Sequence, residues 1–147
     1  MREPRPFGKH ELYLESDLVV SRVKGVVTLA DVQQLLSSFE EVLARHGHAL
    51  LLADNTHFTS IDADARRLGA LWVAGKPVLG MATYNAGFAA RALLTLIMKG
   101  INLVSPRPLP FVVVKTESEA RAWLAEQRQR HLDRVGRRSG STTPLKP

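Results

Sequence analysis

The stretch Phe111–Trp123, FVVVKTESEARAW, decides the fold of this chain. FVVVKT is a short, β-branched, apolar run that suits a strand covered on both faces. Thr116-Glu-Ser-Glu119 reads as a capping box. The threonine hydroxyl can accept from the amide three residues on, and Glu119 can reach back to the Thr116 amide. Ala120, Trp123 and Leu124 follow at i, i+3 and i+4, so one apolar stripe faces inward and Trp123 is expected to be buried against a sheet.

Working outward, Pro106, Pro108 and Pro110 form a stiff connection into that strand. Ahead of them lies a long apolar helix, entered through the turn Asn85-Ala86-Gly87, and before it a strand over Val78 to Tyr84. Gly75-Lys76-Pro77 stops an earlier helix that runs to about Trp72, for which Thr59, Ser60 and Asp62 are candidate N-caps. Ala49 to Ala53 is an unbroken apolar run, the mark of a central strand, followed by a polar loop at Asp54-Asn55-Thr56. Thr28 caps a helix with Asp31 as its box partner. Val32, Leu35, Leu36, Phe39, Val42 and Leu43 hold the helical period there, and Gly47 sits at the left-handed C-cap. Glu11–Glu15 and Leu18–Val27 form a hairpin about Ser16-Asp17. Residues 1–9, with Pro4, Pro6 and Gly8, are expected as a flexible leader. The last helix runs from Glu117 to around Arg130, leaving 133–147 as a disordered basic tail. The single domain, 10–132, is therefore α/β. A mostly parallel sheet of about five strands is entered by an N-terminal hairpin and packed by four helices.

The net charge of +6 is unevenly placed. Residues 11–132 carry 13 Lys/Arg against 12 Asp/Glu, whereas 1–10 and 133–147 carry 7 against 2. A nearly neutral body with basic ends argues against specific nucleic-acid recognition. The chain has no cysteine, which removes disulfide and thiolate chemistry. The first residues lack the apolar core of a signal peptide, so a cytoplasmic location is expected.

The hairpin LYLESDLVVSRVKGVVT, the central LLLAD and above all FVVVKTESEARAWL resemble the SpoIIAA-like branch of the STAS superfamily over roughly residues 10–130. The resemblance implies the α/β scaffold and a regulatory or protein-binding role in a bacterial cytoplasm. Anti-sigma-antagonist members carry a phosphorylatable serine after an aspartate, at the start of the helix that follows the central strand. Asp62 matches the aspartate, but Ala63 stands where the serine belongs. Asp54, Ser60 and Asp62 remain as a candidate regulatory loop at the carboxyl end of the central strand, where open α/β sheets bind ligands.

Other chemistry is sparse. His46 and His48 flank Gly47, and Asp54 and His57 lie about 16 Å away across a five-residue strand, too far for one metal site. No phosphate loop, dinucleotide fingerprint or nucleophile elbow is present. No catalytic residue, metal or cofactor is expected, and the chain does not read as an enzyme.

The helix AGFAARALLTLIMKGINLVS is the unusual element. At 100° per residue, Arg91, Thr95, Lys99 and Asn102 share a sector of about 80°, and apolar residues fill some 240°. A sheet can bury only part of that arc. The helix is too short for a convincing membrane span and is interrupted by Gly100. Phe88, Leu94, Ile97, Met98 and Ile101 are therefore the candidate apolar face. The expected function is a non-catalytic regulatory or protein-interaction module with a protein partner or a second copy on that face. The alternative is a binder or sensor of an apolar ligand or lipid surface.

Overall fold

The computed structural model describes residues 2–141, less the side chains of residues 104 and 138–141. Six strands and four helices follow one another as β1 (Glu3–Pro4), β2 (Glu11–Glu15), β3 (Leu18–Val27), α1 (Leu29–His46), β4 (Ala49–Ile61), α2 (Ala63–Val73), β5 (Val78–Tyr84), α3 (Phe88–Val104), β6 (Phe111–Val114) and α4 (Glu117–Ser141). The strands lie side by side in chain order, so there are six rather than about five. β1, β2 and β3 are antiparallel neighbours, and β3 through β6 are parallel.

This order explains the layering. Each of α1, α2 and α3 links one parallel strand to its next neighbour in the same direction, and right-handed crossovers then put all three on one face. The core on that face joins Val32, Phe39 and Val42 of α1 to Leu68 and Trp72 of α2 and Leu94 and Met98 of α3. α4, which crosses to no further strand, covers the other face with Ala120, Trp123 and Leu124. The apolar run of β4 serves both layers: Ala49, Leu51 and Ala53 face the three helices, and Leu50 and Leu52 face α4.

Local signals hold at most helix ends. Thr28 and Asp31 make the full capping box, and Gly47 closes α1 at φ 78 in the left-handed region. At α4, Thr116 Oγ1 accepts the Glu119 amide at 3.2 Å. The return arm differs: the Glu119 carboxylate accepts the Thr116 hydroxyl at 3.3 Å. Trp123 is half-buried, and β6 is half-buried throughout because it is the edge strand, paired with β5 alone.

Three boundaries depart from the sequence expectations. β4 runs on through Asp54-Asn55-Thr56 to Ile61, because β3 continues beside it with two register shifts. Thr59 and Ser60 are thus strand residues rather than helix caps, and Asp62 precedes α2 without a side-chain cap bond. The leader is docked. Phe7 is 3% exposed, Arg5 donates to Glu41 at 2.8 Å and Arg45 to Glu3 at 2.8 Å. The Gly8 amide donates to Gln34 at 2.7 Å. α4 continues beyond Arg130 to Ser141; residues 142–147 of the expected tail lie outside the described residues.

Candidate binding site

α3 is built on a turn in which Asn85 takes a positive φ of 62, and it has no side-chain N-cap and no acidic residue in its first turn. Its inner row is Ala90, Leu93, Leu94, Ile97, Met98 and Ile101, of which only Met98 is fully buried, at 7% exposure. Its outer row is Phe88 at 89%, Leu96 at 69% and Leu103 at 85%. Of the residues expected on the apolar partner or ligand face, Phe88 does face outward. Leu94, Ile97, Met98 and Ile101 turn instead toward the molecule, and Leu96 and Leu103 take the outward places. They lie on one side of the polar sector of the helical wheel and buried Met98 borders it on the other, so periodicity could not tell which flank the sheet covers.

The polar sector is itself partly internal. Asn102 Nδ2 donates to the Leu109 carbonyl at 2.9 Å, and Asn102 Oδ1 accepts the Leu109 amide at 2.7 Å. This amide pairing ties the proline connection, with buried Leu109, to the end of α3.

Behind the inner row, α1, α2, α3 and the sheet frame a partly open cavity of about 170 Å³. Leu35, Phe39, Phe58, Met81, Leu94 and Ile97 are among its walls, and Arg66 is its one charged lining residue. Gly69 stands on the α2 side, and a β-carbon there would meet nothing within 4 Å. Interiors normally leave few voids larger than a water molecule, so this space is a departure from ordinary packing. A volume of this order holds about one small aromatic ring, not an acyl chain. A smaller void of about 40 Å³ continues past Leu94 and Met98 to Asn55 and Thr83. Asn55 donates to Thr83 Oγ1 at 2.5 Å there.

Charge past the first turn of α2 and through α3 has one sign along the chain. Between Asp64 and Glu117 the chain holds seven basic residues and no acidic one. Arg91 and Lys99 are exposed on α3, and Arg66 and Arg67 on α2.

The candidate regulatory residues are not brought together. Asp54 accepts the Thr56 amide at 3.1 Å and hydroxyl at 2.6 Å, and pairs with Arg22 at 3.3 Å. Ser60 lies six strand positions further on, about 20 Å along β4 at the usual rise. Asp62 is exposed just beyond it. Ala63 opens α2 and offers no hydroxyl. Next to Asp54, Tyr84 donates to Glu117 at 3.2 Å, and burial together with the Glu117 and Asp54 carboxylates pushes its hydroxyl up to about 12.

Two histidines, His10 and His48, bond within the fold. Lys24 donates its amide to His10 Nδ1 at 2.8 Å, so His10 carries its proton on Nε2 and donates to Asp31 at 3.0 Å. His48 meets Asp17 at 2.8 Å, and Arg128 binds the same carboxylate through two 2.7 Å contacts. His57 is exposed on β4. Among the described residues no group of three or more His, Cys, Asp or Glu is placed to hold a metal ion, and no helix is long and apolar enough to cross a membrane.

A crystal structure of an uncharacterised protein of the DUF3478 family, from Shewanella loihica PV-4, is similar over 84% of this chain and 95% of that one. Its TM-score is 0.55 at 18% identity. That protein is described as having a SpoIIAA-like fold. The fold of this chain is SpoIIAA-like. The anti-sigma factor antagonist SpoIIAA in its unphosphorylated form aligns over 79% of this chain and 97% of its own, with a TM-score of 0.48 at 13% identity. No family model and no curated protein matches the chain. A likeness at this identity speaks to the fold alone, so the SpoIIAA-like scaffold carries no site residue across.

Proposed function

We propose that this chain is a non-catalytic, SpoIIAA-like interaction module whose working surface is the outer row of α3. The observation that carries this reading is the exposure of Phe88, Leu96 and Leu103 on a helix whose inner row already meets the core. Large apolar side chains gathered on one exposed face mark interaction sites more often than scattered ones do. The occupant is a protein face, either a second copy or a partner, with acidic groups to meet Arg91 and Lys99. The alternative is an apolar ligand or an anionic lipid surface, favoured by the cavity and by the absence of acid between Asp64 and Glu117. The cavity volume weighs against a whole lipid inside the domain, which would need α3 to lift away.

The test is the pair Leu96→Glu and Leu103→Glu. Sedimentation velocity of wild type at rising concentration should show association that the pair abolishes, with its circular dichroism unchanged. Co-flotation with vesicles containing phosphatidylglycerol, lost in the same pair while wild type stays monomeric, would favour the lipid reading. Identical mass and vesicle behaviour in wild type and variant would sink both.

A further inference from the structure

The amino ends of β5 and β6 open into a cleft of about 590 Å³. Its charged and titratable lining consists of Lys76, Arg107, Arg130, His131 and Arg134, with no carboxylate among them. Gln127, Arg130, His131, Arg134 and Val135 stand at i, i+3, i+4, i+7 and i+8 of α4, one helical face. Further toward its start, the same helix buries Ala120, Leu124 and Gln127 against the molecule. Past Gln127 the inward-facing row becomes cationic instead of apolar, and the helix overhangs the strand ends rather than closing on them. Lys76 comes from the α2–β5 turn and Arg107 from the proline connection, so three separate segments bring cations to one concavity.

Two of these cations have weak carboxylate partners. Lys76 pairs with Glu40 at 3.2 Å and Arg130 with Glu126 at 4.0 Å, both between solvent-exposed groups. Exposed pairs of this kind contribute little and exchange readily for a better anion. Apart from Gln127, the rest of the wall is apolar and includes Val73, Val78, Leu79, Pro108, Pro110 and Val135. Each segment that brings a cation also brings apolar surface beside it, Pro108 next to Arg107 and Val135 next to Arg134, and such a lining suits a ligand with both features. Its volume falls in the range of small-molecule sites, roughly 300–1,000 Å³, rather than that of a track for a polymer.

We propose that this cleft binds a small organic phosphate, with the phosphate held by Arg107, Arg130, Arg134 and Lys76 and the organic part laid against Pro108, Pro110 and Val73. Guanidinium groups match phosphate oxygens in a bidentate fork, which an ammonium cannot do, and three of the four cations are arginines. The cleft lining takes no residue from α3.

Isothermal titration calorimetry of the full chain in physiological salt tests it with four probes: 1-naphthyl phosphate, 1-naphthol, inorganic phosphate and a short single-stranded oligonucleotide. Naphthyl phosphate should bind with a dissociation constant below about 1 mM, at least about tenfold tighter than naphthol or inorganic phosphate. Arg107→Glu/Arg134→Glu should weaken it by about tenfold or more. The exposed pair Lys9→Glu/Lys115→Glu, with the same change of charge, should leave it unchanged. If the first pair fails to fold by circular dichroism, Arg107→Gln/Arg134→Gln takes its place. Equal weakening by both pairs would mean charge alone acts, and no binding of naphthyl phosphate would remove the site. Tighter binding of the oligonucleotide would assign the cleft to nucleic acid. Each of these three results overturns the proposal.

Discussion

At Gly80 a strand and the helix above it come closer than any side chain allows. A β-carbon there would lie 2.9 Å from Trp123 Cζ3 and 3.3 Å from Gln127 Cγ. The same glycine sits where the pairing of β4 with β5 slips, between Ala49 opposite Val78 and Leu51 opposite Met81. Glycine inside a strand often marks such an irregularity together with close approach. Gly80→Val is therefore expected to destabilise by about 1–3 kcal/mol through overpacking, read from urea midpoints and from Trp123 emission moving to longer wavelength. An unchanged midpoint would show that α4 lifts away without penalty. Asp17 is a second such position. Burial alone would push its carboxyl up, but the Arg128 guanidinium and His48 hold it below the usual carboxylate range. Because the folded value is the lowered one, this stabilisation is present above the unfolded value, near pH 4, and is lost as pH falls through the folded one. Asp17→Asn should then lower stability at pH 7 by about 1–3 kcal/mol and flatten the loss of stability below about pH 4. Parallel acid curves for the two proteins would contradict the assignment.

Elements differ in how their faces are spent. α1 is an ordinary one-sided helix with a full cap at each end. α3 is apolar on both sides, and its two rows should respond oppositely to the same substitution. Met98→Glu places a charge among Leu94, Met81 and Phe111, next to the cavity, and is expected to cost about 3 kcal/mol or more. Leu96→Glu should stay within about 0.5 kcal/mol of wild type, as exposed substitutions do. Thermal melts of the two variants check this directly; equal losses would mean that the outer row is covered within the monomer. Asn102→Ala should leave the Leu109 amide and carbonyl without partners, at about 1–3 kcal/mol. Hydrogen exchange at the Leu109 amide should accelerate in that variant, and unaltered protection there would show that the connection is held by other contacts.

At the scale of the whole molecule, the amino-terminal segment closes one edge of the sheet. β1 pairs with β2, Phe7 enters the core, and Glu3, Arg5, Gly8 and His10 bond to Arg45, Glu41, Gln34 and Asp31 along α1. Gly8 is held at φ 53 with Asp31 directly behind it, where a β-carbon would be 2.1 Å from Oδ1. Phe7→Ala is expected to cost about 3–5 kcal/mol by equilibrium denaturation, the usual range for a buried aromatic. A loss below about 1 kcal/mol would restore the expectation of a loose leader.

The sequence by itself determined what depends on near neighbours. Thr28 with Asp31, Gly47, the apolar run Ala49–Ala53 and the passage from Phe111 into a Thr116-capped helix all specify themselves within a few residues, and together they imply an α/β sheet with crossover helices. The tertiary structure decided whatever depends on which surface meets which. Asp54-Asn55-Thr56 looks like a loop, and Thr59 and Ser60 like helix caps, until β3 is seen to run alongside them and pair with their backbone. Pro4 and Phe7 look like a leader until α1 offers Arg45, Glu41 and Asp31 at the right separation. Leu94 and Leu96 stand two residues apart on one helix with the same hydropathy. Only the position of the sheet makes one a wall of a cavity and the other a surface. Arg107 and Arg134, 27 positions apart in the chain, become neighbours of one cleft because β5 and β6 begin at the same end of the sheet.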